Sequence, residues 1–323
     1  MEFKYIDDVF SGISLDLEIL KRKTQKNSIL LYQHEGQLLA TLNSIGNASN
    51  VNDPFLKFFE MAKVKDVDLA LTPEYSCPWE VITNIINDNQ SHPSMGKLWV
   101  IGCESNSLNN LSQFKQDYEN EFITIYYDNE LNENSGSFVD PVVYIFKSNI
   151  NDEEKLTVLI QFKTRHMGVW GGGEIERDNI ILGREIYVFR NTPTSIYLMT
   201  IICSEAMNFK DTLNEQVKQE LDWLDKPYLI LHPQFNPKPN HSNFIDFRKF
   251  VFLHDHKEII SLNWQLNSKV SDQELLTHKS SRSGFYIKST QLNLNKQRIN
   301  NNHKKGLYYF SNKQEKHSYI LCS

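Results

Sequence analysis

The chain has 323 residues, of which 40% are apolar and 12% aromatic, and its formal net charge is −6. This length and composition fit one large or two small folded domains and argue against an intrinsically disordered chain. The acidic balance and the lack of a long basic run give no indication of nucleic-acid binding.

The four cysteines are Cys77, Cys103, Cys203 and Cys322. They form no Cys-x-x-Cys pair and are too few for a disulfide framework, which favours a reducing, cytoplasmic compartment. The N-terminus is charged and amphipathic and lacks the apolar core of a signal peptide. Because no run of about 18 apolar residues is present, no membrane span is expected.

Two parts of the chain differ in pattern. Residues 1–27 are interpreted as an N-terminal extension, and the apolar spacing over 15–20 predicts a short helix there. Residues 28–323 are expected to form one domain, because no internal repeat and no linker rich in Pro or Gly divides them. Within this domain the polar stretch 104–140 is predicted to add one helix and one strand, and 290–305 an exposed loop.

Periodicity predicts the other elements of the domain. Short apolar runs predict strands at 28–33, 66–72, 97–102, 142–147, 156–163, 186–190, 195–203, 227–232, 261–264, 284–287 and 306–310. Helical spacing predicts helices at 54–64, 79–86, 211–224 and 250–260. Strands alternate with helices early and late, and strand pairs occur in the middle. This pattern predicts a layered α/β domain of mixed sheets.

Three predicted strands end in reactive side chains. Glu74 follows strand 66–72, Lys163 follows strand 156–162, and Cys203 ends strand 195–203. Each residue also has a plainer interpretation: a buried apolar cysteine, a carboxylate in the first turn of a helix, or a solvated lysine. Functional side chains in α/β folds gather where strands emerge into loops, so the three together favour a site.

The chemistry of a thiol nucleophile requires these three residue types. A thiol attacks only after it loses its proton, and a buried carboxylate beside it can accept that proton. An ammonium group then stabilises the negative oxygen that develops when the thiolate attacks a carbonyl or nitrile carbon. The backbone N–H of Ser204, directly after the cysteine, can supply a second donor to that oxygen.

The sequence resembles the nitrilase (carbon–nitrogen hydrolase) superfamily. Three motifs carry the resemblance in order: DLALTPEY (68–75), LIQFKTRHM (159–167) and IICSEAMNF (201–209). Supporting segments are KLWVIG (97–102), YLILHPQFNP (228–237), ISLNW (260–264) and SRSGF (281–285). The resemblance covers roughly 28–310, while residues 1–27 and the long stretch 104–140 depart from the family pattern.

The resemblance implies a set of roles for the motif residues. Glu74 is the general base, Lys163 the oxyanion stabiliser and Cys203 the nucleophile. Glu176, rather than Glu174, is the second glutamate that positions the lysine. The implied fold is a four-layer αββα sandwich of two mixed sheets, paired into homodimers or larger homo-oligomers, with no metal and no organic cofactor.

Further residues are candidates for the surroundings of this site. Glu205 is interpreted as a hydrogen-bond partner of the cysteine loop. The candidates for the substrate pocket, which lie in or beside the motif segments, are Tyr75, His166, Trp170 and Gln234. The segment Ser204 to Met207 matches no particular substrate class, so the sequence does not predict the substrate.

Other sequence features do not support a metal site, a phosphate loop or a serine nucleophile. The two histidines of His254-Asp255-His256 fall on different faces of a helix, so a metal site is rejected. The run Gly171–Gly173 lacks the Lys-Ser/Thr of a phosphate loop, and no Gly-x-Ser-x-Gly elbow is present.

The resulting prediction is a hydrolase of amide, carbamoyl or nitrile substrates that works through a thioester, with an amidase favoured. Two alternatives remain: a sensor, effector or partner-binding module without efficient turnover, and an N-acyltransferase that uses the same thioester.

Overall fold

The structure is a computed structural model that describes residues 1–22, 27–168, 173–265, 268–270, 273–274, 283–288, 307–312 and 317–322. The described α-helices are α1 (Ile6–Val9), α2 (Asn52–Val64), α3 (Trp79–Asn87), α4 (Leu108–Tyr118), α5 (Gly173–Asn179), α6 (Phe209–Thr212), α7 (Glu215–Glu220) and α8 (Ser242–Val251). Single 3-10 turns lie at Glu18–Leu20, Asn89–Ser91, Glu133–Ser135 and Cys203–Met207. No helix in these ranges is both long and apolar enough to cross a membrane.

The strands fall into two large sheets and one small sheet. They are β1 (Glu2–Tyr5), β2 (Ile13–Ser14), β3 (Ile29–Gln33), β4 (Gln37–Ala40), β5 (Ile45–Asn47), β6 (Leu69–Leu71), β7 (Leu98–Gly102), β8 (Ile123–Tyr127), β9 (Pro141–Ile150), β10 (Glu153–Phe162), β11 (Glu185–Phe189), β12 (Tyr197–Thr200), β13 (Tyr228–Gln234), β14 (Lys257–Asn263), β15 (Lys269–Val270), β16 (Gln273–Glu274), β17 (Gly284–Ile287), β18 (Leu307–Asn312) and β19 (His317–Cys322).

Both large sheets are mixed. The nine-stranded sheet has the order β18-β19-β3-β6-β7-β9-β10-β8, and β2 pairs with β9. Its strands β3, β6 and β7 are parallel, and β9 and β10 form the predicted antiparallel hairpin. The six-stranded sheet has the order β1-β11-β12-β13-β14-β17, with β12, β13 and β14 parallel.

Three apolar cores separate four layers. The two sheets face each other through side chains such as Leu71 and Leu231. Helices α2 and α3 cover the outer face of the nine-stranded sheet, and helices α6 and α8 cover the outer face of the six-stranded sheet. The central strands are buried on both faces, which explains their continuous apolar runs. The predicted αββα sandwich of two mixed sheets is therefore confirmed.

A third sheet of four short strands was not predicted. It has the order β16-β15-β4-β5. Leu38 and Ile45 from this sheet join a fourth apolar cluster with Phe235 and Trp264. The small sheet thus packs beside the segments that follow β13 and β14.

In place of the helix predicted over 15–20, the structure has a single 3-10 turn at Glu18–Leu20, and α1 lies earlier, at Ile6–Val9. β1 extends the six-stranded sheet by pairing with β11, and Leu17 and Ile19 are buried between the two large sheets. Asn191 donates to the carbonyl of Leu17 and accepts from its amide, each over 2.9 Å. A side chain distant in sequence therefore provides the hydrogen bonds that a helix would have made locally.

Two predicted helices also differ from the structure. Residues 250–260 contain the end of α8, a turn and the start of β14. Lys257 begins this strand because its ammonium lies over the rings of Trp223 and Tyr228, a tertiary contact that overrides helical spacing. Residues 211–224 divide into α6 and α7, because Asn214 caps a new helix. The polar stretch 104–140 contains the predicted helix, α4, and the predicted strand, β8. The predicted loop at 290–305 lies outside the described residues.

Candidate active site

Strand termini of both large sheets meet at one edge of the sandwich. Strands β6 and β10 end there in the nine-stranded sheet, and β9, which runs antiparallel to β10, begins there. The parallel strands β12, β13 and β14 end at the same edge of the other sheet. Glu74, Lys163 and Cys203 follow three of these strand ends, so the fold brings the three predicted residues to one place.

Lys163 lies at the centre of a buried cluster of carboxyl groups. Its Nζ atom is 2.6 Å from Glu74 Oε1, 2.8 Å from Glu176 Oε1 and 3.4 Å from Asp140 Oδ2. All four side chains are fully buried. Burial lowers the pKa of Lys163, but the carboxyl groups, Glu176 foremost, raise it well above its ordinary value. The lysine is therefore charged at neutral pH.

The backbone around Lys163 is also fixed. Its N–H donates to the Asp140 carbonyl over 2.9 Å, and its carbonyl accepts from Gly183 N over 2.8 Å. A Cβ atom on Gly183 would lie 2.4 Å from the Phe162 carbonyl oxygen. Only glycine permits this close approach, so Gly183 is needed to hold the Lys163 segment against β11.

Three carboxyl groups surround a single ammonium group, so the cluster favours protonation of one of them. Burial raises the pKa of Asp140 well above its ordinary value, and Lys163 opposes this effect. Burial also raises the pKa of Glu176. Neither oxygen of Asp140 has a hydrogen-bond partner among the described residues. Asp140 therefore best fits the neutral carboxyl group of the cluster.

Asp140 was missed by the sequence analysis. It ends the polar stretch 104–140 and directly precedes β9, whereas Glu74, Lys163 and Cys203 follow strands. A carboxylate at the beginning of a strand gives no signal unless the strand is known to run antiparallel to its neighbour. The signal that was available is the pairing of 142–147 with 156–163, which places residue 140 beside residue 163.

Glu74 is held by one backbone donor and one side-chain donor from the segments that follow β13 and β14 of the opposite sheet. Its Oε2 atom accepts a hydrogen bond from Phe235 N over 2.5 Å, and its backbone carbonyl accepts one from Trp264 Nε1 over 2.7 Å. Phe235 follows β13 and Trp264 follows β14. The carboxylate is thus fixed from both sheets, with one oxygen on Lys163 and the other on Phe235.

Cys203 has an unusual backbone conformation. Its φ is +39°, in the left-handed region that residues with a Cβ rarely adopt. The carbonyl of Cys203 is 3.1 Å from Nε2 of the buried His232, which must be the donor of this bond. Ser204 Oγ donates to the Arg165 carbonyl over 2.7 Å. These bonds hold the strained turn at the end of β12, as is common at functional sites.

The electrostatic surroundings keep the Cys203 thiol protonated at rest. Burial raises its pKa well above the ordinary value, Glu74 raises it further, and Lys163 lowers it. The thiol hydrogen-bonds to the Phe235 carbonyl, with an S···O distance of 3.8 Å. Such a thiol needs a base to become a nucleophile, and Glu74 is the carboxylate that contributes to its pKa most strongly.

Glu205 joins the cysteine loop to the lysine loop. Its Oε2 atom accepts from Ile202 N over 2.6 Å, and its Oε1 atom accepts from Thr164 N over 2.6 Å and from Thr164 Oγ1 over 2.8 Å. Burial raises the pKa of Glu205 to about 7. Glu205 therefore contacts both the segment that carries Cys203 and the segment that follows Lys163.

A cavity of about 350 Å³ opens above Cys203. Its lining residues are His166, Met167, Gly168, Arg177, Cys203, Ser204, Met207, Phe235, Asn236, Pro237, Lys238, His241 and Phe244. A cavity of this size accommodates a small organic molecule. Among the predicted residues, His166, Ser204 and Cys203 therefore reach the cavity.

The other residues predicted to line the substrate pocket are not among the described residues that line this cavity. Tyr75 is fully buried, with Lys163 Nζ 5.6 Å from the centre of its ring, and it does not line the described part of the cavity. Gln234 is also buried and donates to Ser261 Oγ over 2.5 Å. Neither side chain lines the described part of the cavity. Trp170 lies outside the described residues, and Glu174 is exposed, whereas Glu176 enters the cluster.

Within the described ranges, no group of three His, Cys, Asp or Glu side chains is arranged to hold a metal ion. The three carboxyl groups at the site surround the ammonium of Lys163 instead.

No protein-family model and no curated protein matches the chain. Among solved structures, the chain is similar to an amidase from Nesterenkonia sp., with 10% identity, a TM-score of 0.40, and coverage of 77% of this chain and 80% of the amidase. A variant of the amidase from Nesterenkonia AN1, described as belonging to the nitrilase superfamily, has 11% identity, a TM-score of 0.42, and coverage of 76% and 80%. A CN-hydrolase superfamily protein from Xanthomonas campestris, with an arsenic adduct in its active site, has 11% identity, a TM-score of 0.47, and coverage of 82% and 83%.

Proposed function

We propose that this chain is a member of the nitrilase superfamily that hydrolyses non-peptide carbon–nitrogen bonds, with an amidase activity favoured, through a thioester on Cys203. The observation that carries the proposal is that the base and the nucleophile both hydrogen-bond to the backbone of Phe235. Glu74 Oε2 accepts from Phe235 N, and the Cys203 thiol hydrogen-bonds to the carbonyl of the same residue. Lys163 bonds to the other oxygen of Glu74.

The first half of the proposed reaction forms the thioester. Glu74 takes the proton of the Cys203 thiol, and the thiolate attacks the carbonyl carbon of the amide. The negative oxygen that develops is stabilised by the ammonium of Lys163 and by the backbone N–H of Ser204. The carbon–nitrogen bond then breaks, and the nitrogen leaves as ammonia or an amine after taking the proton from Glu74.

The second half returns the enzyme to its starting state. Glu74 takes a proton from a water molecule, and the resulting hydroxide attacks the thioester carbon. The carbon–sulfur bond breaks, the carboxylic acid is released, and the Cys203 thiol is reformed with the proton from Glu74. Lys163 stays charged throughout, because the carboxyl groups around it raise its pKa. Glu176 contacts Lys163 at 2.8 Å and is assigned the role of positioning it.

The burial of the charged cluster supports an enzymatic role over simple binding. Desolvating an ammonium and several carboxyl groups costs stability unless every partner is in place. A binding module would gain nothing from such an arrangement beneath a buried thiol. Cytoplasmic location and homo-oligomeric assembly remain predictions from the sequence.

Intact-mass spectrometry with a mixed pool of small amides and nitriles tests the proposal. We expect an acyl adduct on the wild-type protein at low temperature and much less adduct on Glu74→Gln, which lacks the base needed to form the thioester. Cys203→Ala should give none, while the matched control Cys103→Ala, which removes another buried thiol, should keep the adduct. The absence of any adduct, together with equal alkylation of Cys203 and Cys103, would support a binding module instead.

A further inference from the structure

The cavity above Cys203 carries an uneven distribution of charge. Arg177 and Lys238 line it from two different segments, α5 and the loop after β13. His166 and His241 also line it, and none of the described lining residues is acidic. The pKa of His166 is lowered by burial and by Arg165, so Arg177 and Lys238 are the clear cations.

Part of the remaining lining is apolar. Met167, Met207, Phe235 and Phe244 line the cavity together with Cys203. Phe235 and Phe244 are buried, whereas Lys238 and Arg177 are exposed. The cavity therefore changes from an apolar floor beside the thiol to a cationic rim at the solvent.

The guanidinium of Arg177 has capacity for a ligand. Its Nε and Nη2 atoms donate to Asp178 over 2.6 Å and 2.9 Å, which uses two of its five N–H donors. Both side chains are substantially exposed, so solvent screens this pair and it does not remove the positive character of the rim. Hydrogen bonds from a guanidinium to a carboxylate are among the stronger polar contacts in proteins.

We infer that the substrate is an amide whose acyl part carries a carboxylate at the end away from the scissile bond. This inference rests on the proposed function and names the substrate class for the same site. The amide carbon lies at Cys203, an apolar spacer of a few carbons packs on Met207 and Phe244, and the carboxylate binds Arg177 and Lys238. The hydrolysis product is then a dicarboxylate.

A series of amides with one chain length tests the inference. Pentanamide, pentanediamide and the monoamide of pentanedioic acid differ only in a terminal methyl, carboxamide or carboxylate group. We expect kcat/KM for the carboxylate to exceed that for pentanediamide roughly tenfold, since a hydrogen bond to a charged group is worth about one such factor. Arg177→Met should reduce this ratio to about one, and Lys238→Met should reduce it a few-fold. The matched control Lys249→Met removes an exposed cation of α8 that does not line the described cavity, and it should preserve the ratio.

A binding measurement separates this inference from the proposed function. Pentanedioate should bind Cys203→Ala, measured by calorimetry, and roughly tenfold more weakly when Arg177→Met is added. Suppose that Cys203 forms adducts with pentanamide, but wild-type kcat/KM is about the same for the monoamide of pentanedioic acid and for pentanediamide. The inference is then wrong and the proposed function stands. If no amide reacts and pentanedioate does not bind, both are wrong.

Discussion

Glu74 and Cys203 come from opposite sheets and meet on the backbone of one residue. The amide of Phe235 donates to Glu74 Oε2, and the carbonyl of Phe235 accepts from the Cys203 thiol. Cys203 follows β12 and Phe235 follows β13, so the register of these paired strands sets the distance between the nucleophile and Phe235.

Replacement of the proposed base should affect catalysis far more than folding. In Glu74→Gln the single amide oxygen can still accept from Lys163 or from Phe235 N, though not from both, and the side chain cannot take the thiol proton. We expect kcat for a small amide to fall by roughly 10² to 10⁴, the usual contribution of a general base. Steady-state kinetics and thermal unfolding measure the two effects. Glu174→Gln, on the exposed side of α5, is the control and should change neither kcat nor thermal stability. If kcat of Glu74→Gln stays within threefold of wild type, Glu74 is not the general base.

Removal of the central cation should destabilise the protein in a pH-dependent way. Lys163→Met leaves three buried carboxyl groups without their counter-charge, a change that costs about 3–5 kcal/mol near neutral pH. Burial raises the pKa of Asp140 and of Glu176, so the folded variant binds more protons than the unfolded chain above the ordinary carboxyl pKa. The free energy of unfolding therefore falls as the pH rises and recovers toward pH 4.

Urea unfolding of Lys163→Met at pH 5 and at pH 7.5 measures this difference. Lys249→Met, which changes an exposed lysine by the same substitution, should show little difference from wild type at either pH. Equal stability of Lys163→Met at the two pH values would mean that the buried carboxyl groups do not carry the charge that the geometry implies.

Because Asp140 is assigned a neutral carboxyl group, its replacement by asparagine should change stability and kcat little. Asparagine has nearly the same shape as a protonated aspartic acid, so Asp140→Asn should unfold within about 1 kcal/mol of wild type at pH 7. It should also keep kcat within about tenfold, in contrast to Glu74→Gln, because Asp140 takes no proton in the proposed reaction. Parallel kinetics of the two variants distinguish these roles, and a loss in Asp140→Asn as large as in Glu74→Gln would identify Asp140 as an ionised participant.

The site divides into parts that the sequence could reveal and parts that it could not. Glu74, Lys163 and Cys203 each follow a continuous apolar run, and such runs end where a chain leaves a buried strand. Their meeting at one edge follows from the layered fold. Asp140 precedes its strand, so its position depends on the antiparallel pairing of β9 with β10.

Other contributions carry no side-chain signal at all. Phe235 acts through its backbone, and any residue type could supply the same amide and carbonyl. The small sheet rests on strands as short as two residues, which are too short to show a period. The N-terminal segment is held by Asn191, a partner 174 residues away, so local spacing could not predict its extended path.

The strained turn at Cys203 depends on His232, and this dependence can be measured. The imidazole is buried, and burial lowers its pKa to about 3, so it stays neutral and its Nε2–H donates to the Cys203 carbonyl. His232→Leu removes this donor and leaves a carbonyl unbonded, at a cost of about 1–3 kcal/mol. His232→Gln places an amide N–H at a similar distance from the backbone and should restore much of the loss.

A purely structural role for His232 would lower stability in His232→Leu and leave the reactivity of the folded protein unchanged. We instead expect His232→Leu to lower kcat about tenfold or more with little change in KM, because the turn that aims the thiol relaxes while the cavity walls remain. The rate of Cys203 alkylation by iodoacetamide should fall in parallel, and His232→Gln should recover both rates. If His232→Leu loses stability but alkylates and turns over at the wild-type rate under conditions where it is fully folded, then the conformation of Cys203 is fixed by β12 and Glu205 alone.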